Sequence, residues 1–69
     1  MDRENVTSSN ISSIGYDADS QTLEIEFLNG AIYQYFDVPE QVHAELMGAD
    51  SVGAFLARNI KGSFRYSRV

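Results

Sequence analysis

From Leu23 to Phe27 the chain alternates strictly, with Leu23, Ile25 and Phe27 apolar and Glu24 and Glu26 between them. A period of two marks a strand with one dry face and one wet face. Asn29-Gly30 follows, two residues that tolerate positive φ and so signal a hairpin. The aromatic-rich residues 31–36 return as the partner strand. Upstream, Ile11, Ile14 and Tyr16 are spaced for a further short strand, and Asp17-Ala18-Asp19-Ser20 is dense in turn formers. Residues 1–8 are polar and are expected to be loose.

After Val38 the period lengthens. Pro39 is placed as the first residue of a helix, where its missing N–H costs nothing. Val42, Leu46 and Ala49 then recur on one helical face, with Met47 alongside, and Gly48-Ala49-Asp50 closes the segment. Ser51 can cap a second helix, in which Val52, Phe55, Leu56 and Ile60 repeat at helical spacing until Lys61-Gly62. Residues 63–69 alternate loosely and can add a short C-terminal edge strand. The expected fold is α+β: a three-stranded antiparallel meander, then a helical hairpin packed on one sheet face. All 69 residues form one domain.

Which face of the second hairpin strand is dry depends on the loop. With a two-residue loop, Asn29-Gly30, Glu26 pairs with Tyr33, and Tyr33 and Tyr35 lie on the wet face. With a three-residue loop, Leu28-Asn29-Gly30, Ile25 faces Tyr33, Leu23 faces Tyr35, and Gln34 joins the glutamates. Polarity favours the second register, because it buries no glutamine and exposes fewer aromatics.

Composition narrows the chemistry. The chain is 43% hydrophobic with eight aromatics, enough for a core, although a chain this short can build only a thin one. It has no cysteine, which excludes disulfides and thiolate metal sites. No apolar run is long enough to span a membrane, and Met1-Asp2-Arg3-Glu4 does not begin a signal peptide. A cytoplasmic setting is expected. His43, the one histidine, has no partners at catalytic or metal-ligand spacing and reads as an ordinary helical residue. Asp17-x-Asp19 resembles the start of a calcium loop, yet Leu28 stands where the final glutamate belongs and Thr22 where the glycine belongs. Glu24 and Glu26 read as a solvated strand face rather than an acid–base pair. No catalytic residue, metal or cofactor is expected.

Charge adds an asymmetry. Residues 1–50 hold ten acids and one base, Arg3, a balance of −9, whereas residues 51–69 hold four bases and no acid, +4, leaving a net charge of −5. Arg58, Lys61, Arg65 and Arg68 therefore form a candidate anion-binding patch. Overall acidity repels polyanions at long range, so such binding must be local. On an alternating strand, moreover, Arg65 and Arg68 face opposite sides. The same bases can equally complement a helix end and the acidic body.

The ordered set Ser9-x-Ile11-x-x-Ile14-Gly15-Tyr16-Asp17, Leu23-x-Ile25-x-Phe27-x-x-Gly30 and Tyr33-x-Tyr35-x-x-Val38-Pro39 resembles the KTSC domain family. The likeness continues through Leu46, Ala49, Ser51-x-Gly53, Phe55 and Asn59-Ile60, and runs from about Val6 to Val69. The family takes its name from a C-terminal segment of some lysyl-tRNA synthetases and also occurs as small free-standing bacterial proteins. The resemblance implies no catalytic residue and no cofactor, and through the synthetase association it suggests RNA binding. Gly30, Tyr33, Tyr35, Pro39 and Ser51 carry over as motif positions with structural roles. Position 43, often aromatic in such sequences, is histidine here. Two functions compete: an RNA-binding accessory module acting through the basic patch, and a protein-interaction adaptor that binds no nucleic acid.

Overall fold

The computed structural model describes all of residues 1–69. The hairpin falls in the three-residue register. Strand β3 (Thr22–Phe27) pairs with β4 (Ile32–Tyr35) so that Ile25 faces Tyr33, Leu23 faces Tyr35 and Glu24 faces Gln34. Gly30 donates its N–H to the Phe27 carbonyl at 2.9 Å and has φ +91°, which supplies the left-handed residue that such a loop requires. No atom lies within 4 Å of where a Gly30 Cβ would sit, so a substitution there meets strain in the backbone alone. Gly30→Val is accordingly expected to cost about 1–2 kcal/mol, and Gly30→Asn clearly less, because asparagine tolerates positive φ. Urea midpoints read both; equal midpoints for glycine and valine would overturn this account of the loop.

The sheet has five strands where the expectation was a three-stranded meander with room for a short C-terminal edge strand. Their order is β1-β2-β3-β4-β5, all antiparallel, with β1 (Arg3–Asn5) and β5 (Tyr66–Arg68) at the edges and β2 (Ile11–Asp17) beside β3. The expected C-terminal strand is present as β5, which returns after the helices to pair with β4. The expectation of a loose segment at residues 1–8 is corrected by β1, which pairs with β2 although it carries no apolar alternation. Its attachment comes from backbone hydrogen bonds and from Arg3, which reaches Glu24 Oε2 at 2.8 Å and Glu26 Oε1 at 3.7 Å. The wet face is thus roofed at one end by an arginine. There Ser13 Oγ also donates to Glu26, and the Gln34 side-chain amide donates to Glu24.

In β2, Ile11 and Ile14 are three apart, yet both are fully buried. A register shift between Ile11 and Ser13 reconciles them: a bulge inserts one residue and returns both isoleucines to the dry face. The turn after β2 closes on the Asp17 carboxylate, which accepts from the Asp19 N–H and from Ser20 Oγ.

The dry face is covered by α1 (Glu40–Met47) and α2 (Val52–Phe55). Pro39 lies one position earlier than expected. Its ψ of 150° is extended, so it precedes the first helical residue and offers its carbonyl to the N–H groups of Val42 and His43. Ser51 caps α2 as expected, its Oγ accepting from the Ala54 N–H at 3.2 Å. From Leu56 to Ile60 the helix widens into a π-helical turn, closed by the Lys61 N–H on the Leu56 carbonyl. Val52, Leu56 and Ile60 are spaced by four, and the wider turn keeps all three against the sheet. One core results, built on Ile11, Ile14, Leu23, Ile25, Tyr35, Val38, Leu46, Val52, Leu56 and Ile60.

Candidate functional site

The helices do not cover the whole dry face. Where β4 meets β5 a cleft of about 350 Å³ remains, lined by Phe27, Asn29, Ala31, Tyr33, Tyr35, Lys61, Tyr66 and Arg68. The pairing of β5 with β4 builds it, since Tyr66 stands opposite Tyr35 and Arg68 opposite Tyr33. Both Tyr33 and Tyr35 have ring centroids 5.8 Å from that of Tyr66, and Phe27 meets Tyr33 edge-on at 5.7 Å. The aromatic floor is therefore continuous. Lys61, carried to the rim by the π-helical turn, holds its Nζ 5.5 Å from the Phe27 ring centroid. Arg68 holds its guanidinium 6.0 Å from that of Tyr33. Cation–π attraction of this kind keeps both charges over the floor.

The two tyrosines of the motif differ. Tyr35 is a core residue, 3% exposed, whereas Tyr33 is half-buried and shows one edge to the cleft. The dry face thus holds both, but it is not sealed over them. Burial, and after it the neighbouring phenols of Tyr33 and Tyr66, raise the Tyr35 hydroxyl above its ordinary value near 10. It remains a neutral proton donor near neutral pH.

The four candidate bases do not converge. Lys61 and Arg68 meet at the cleft. Arg65 turns the other way, its Nη2 2.7 Å from Asp37 Oδ2 and its guanidinium 5.7 Å from the Phe36 centroid. That pair is well exposed and adds little to stability. Arg58 is exposed on the π-helical turn and lines no part of the cleft. The charge-asymmetry reading thus named two cleft residues and two that lie elsewhere, and it passed over Phe27 and Tyr66. The signal for Tyr66 was its place two residues before Arg68, which becomes informative only once β5 is registered against β4. The other motif positions shape the fold: Gly30 in the hairpin loop, Pro39 at the start of α1, Ser51 at the start of α2.

His43 takes an aromatic role after all. It stacks on Tyr16 at 4.5 Å with ring planes 9° apart, while the Tyr16 hydroxyl donates to the Val38 carbonyl at 2.6 Å. Partial burial lowers the His43 pKa, and Glu4 and Glu40 oppose that shift. No group of three or more histidine, cysteine or carboxylate side chains is placed to hold a metal ion. No helix is long and apolar enough to cross a membrane.

Residues 7–64 match the KTSC domain. The chain is 41% identical over 70 residues to an uncharacterized protein of Stutzerimonas stutzeri, spanning all of this chain and 99% of that one. It is also 43% identical over 59 residues to a lysine–tRNA ligase of a Nostoc species, which covers 86% of this chain and only 10% of the ligase. The crystal structure of a KTSC domain protein from Yersinia pestis superposes with a TM-score of 0.93 at 46% identity, over 99% of this chain and 96% of that one.

Proposed function

The chain belongs to the KTSC domain family, and on that footing we propose that it is a non-catalytic accessory module that holds single-stranded RNA in the Lys61–Arg68 cleft. The observation that carries this reading is the composition of the cleft: three tyrosines, a phenylalanine and two cations, with none of the chain's ten acids among them. The exposed ring of Tyr66 can stack a base, worth about 1–3 kcal/mol, and cations at the rim take the phosphates. The acids are held elsewhere. Glu24 and Glu26 lie under Arg3 on the opposite sheet face, and Asp37 is paired with Arg65. The ligase relatives, named for an enzyme that acts on tRNA, supply a setting for such a segment. An adaptor working by strand addition finds less support, because both edge strands are only three residues long.

Anisotropy of a labelled single-stranded pentanucleotide tests the reading. Two phosphate contacts give a log–log salt slope of about −1.4, so affinity should fall about sevenfold from 50 to 200 mM salt. Lys61→Glu with Arg68→Glu should abolish both binding and slope without unfolding the chain. Arg65→Glu, on the far face, should leave the affinity within about twofold, as expected for a screened distant charge. A wild-type protein that shows no salt-sensitive binding at 50 mM sinks the proposal and leaves the adaptor as the better account.

A further inference from the structure

Tyr16 is the only tyrosine whose hydroxyl bonds within the chain. Tyr35 is 3% exposed, yet its hydroxyl has no partner in the protein, and no polar side-chain atom is both sealed from solvent and unpaired. The ring is in the core, so its oxygen must emerge in the cleft that Tyr35 lines. A core ring whose hydroxyl opens on a cleft without a partner in the chain leaves a donor free for a ligand. Tyr33 and Tyr66 line the same cleft with hydroxyls that have no partner in the chain, and Lys61 and Arg68 line it with them. The only side-chain carbonyl there, that of Asn29, already accepts from the Ala31 N–H. The lining thus offers positive charge and phenol hydroxyls that can donate to an anion, and it holds no carboxylate to repel one.

Resting on the RNA-binding reading, we infer that the cleft takes a terminal phosphate monoester of the strand, at its 5′ or its 3′ end, in preference to an internal diester. A diester carries one negative charge and ties two of its oxygens into the chain. A monoester carries about −1.5 to −2 near pH 7 and presents three acceptor oxygens. Two cations and three phenol hydroxyls match the second and over-supply the first. The volume agrees: about 350 Å³ is near the lower limit for ligand pockets, room for one terminal nucleotide rather than for a strand that enters and leaves.

Titration calorimetry on the full chain decides it, with pentauridylate carrying hydroxyls at both ends, the same strand with a 5′ phosphate, the same strand with a 3′ phosphate, and a pentapeptide containing phosphotyrosine. One phosphorylated RNA should bind about tenfold tighter than the unphosphorylated strand, and which one it is identifies the end recognised. In Tyr35→Phe that advantage should shrink to about threefold or less, taken against the unphosphorylated strand measured on the same variant, with the melting temperature unchanged. Equal affinity for all three RNAs overturns the end preference and leaves the RNA reading standing. No binding of any RNA overturns both. An advantage that survives intact in Tyr35→Phe removes the hydroxyl from the site. A phosphopeptide bound as tightly as the phosphorylated RNA replaces the nucleotide with a phosphorylated aromatic side chain.

Discussion

Tyr35→Ala should leave the chain unfolded, or close to it, at room temperature. The ring sits in the core between the sheet and the helices, and truncating an aromatic at such a site costs about 3–5 kcal/mol. A domain of this length has only about 3–10 kcal/mol in all. Repacking repairs little of the loss, because Leu23 is fixed opposite by the β3–β4 register and cannot move in to fill the space. Tyr35→Phe separates ring from hydroxyl. Because the hydroxyl makes no bond within the protein, its removal should move stability by less than about 0.5 kcal/mol. Urea titrations of the two variants check the pair. A folded Tyr35→Ala with a midpoint near the wild type would show that the ring lies outside the core, and a strongly destabilised Tyr35→Phe would reveal a bond for the hydroxyl.

The hairpin was readable because two independent local requirements coincide there. A three-residue loop needs a left-handed residue at its last position, and Gly30 stands at it; the same register places Gln34 beside Glu24 and leaves no glutamine buried. The capping of α2 by Ser51 was equally local. What escaped the sequence depends on distant partners. Residues 3–5 are arginine, glutamate and asparagine, with no apolar alternation to announce a strand, and they become one only because Gly15 leaves room and Glu24 offers a carboxylate. The bulge at Ile11–Ser13 hides for a related reason. It breaks the period of two that would have revealed both isoleucines as inward-facing.

The cleft was half readable. Charge counting found the basic segment, but convergence is set by a register that no local pattern encodes. Once Tyr35 pairs with Tyr66 and Tyr33 with Arg68, alternation turns Arg65 to the far face. Lys61 reaches the rim only because the helix ends in a π-helical turn, which the spacing of Leu56 and Ile60 does not by itself distinguish from an α-helix.

Gly15→Val should destabilise the intact chain by about 2 kcal/mol, within the usual span for a forced backbone shift. Gly15 lies on the wet face of β2, opposite Arg3 on one side and Glu24 on the other. A Cβ there would come within 2.8 Å of Arg3 Cγ and 2.9 Å of the Asp2 carbonyl oxygen. The arginine stem can swing aside, but the carbonyl is backbone, so β1 must lift from β2. With it goes the Arg3–Glu24 bridge, whose side chains are only 27% and 13% exposed. The cause can be isolated by deleting residues 1–6. In that shortened chain the three atoms nearest a Gly15 Cβ, from Met1, Asp2 and Arg3, are gone, and valine is the better strand residue, so the same substitution should become neutral or stabilising by about 0.5–1 kcal/mol. Four urea titrations, two backgrounds by two residues, measure the change of sign. If valine costs the same in both backgrounds, the missing side chain at Gly15 has nothing to do with seating β1. If it costs nothing in either, β1 contributes too little for its loss to be felt.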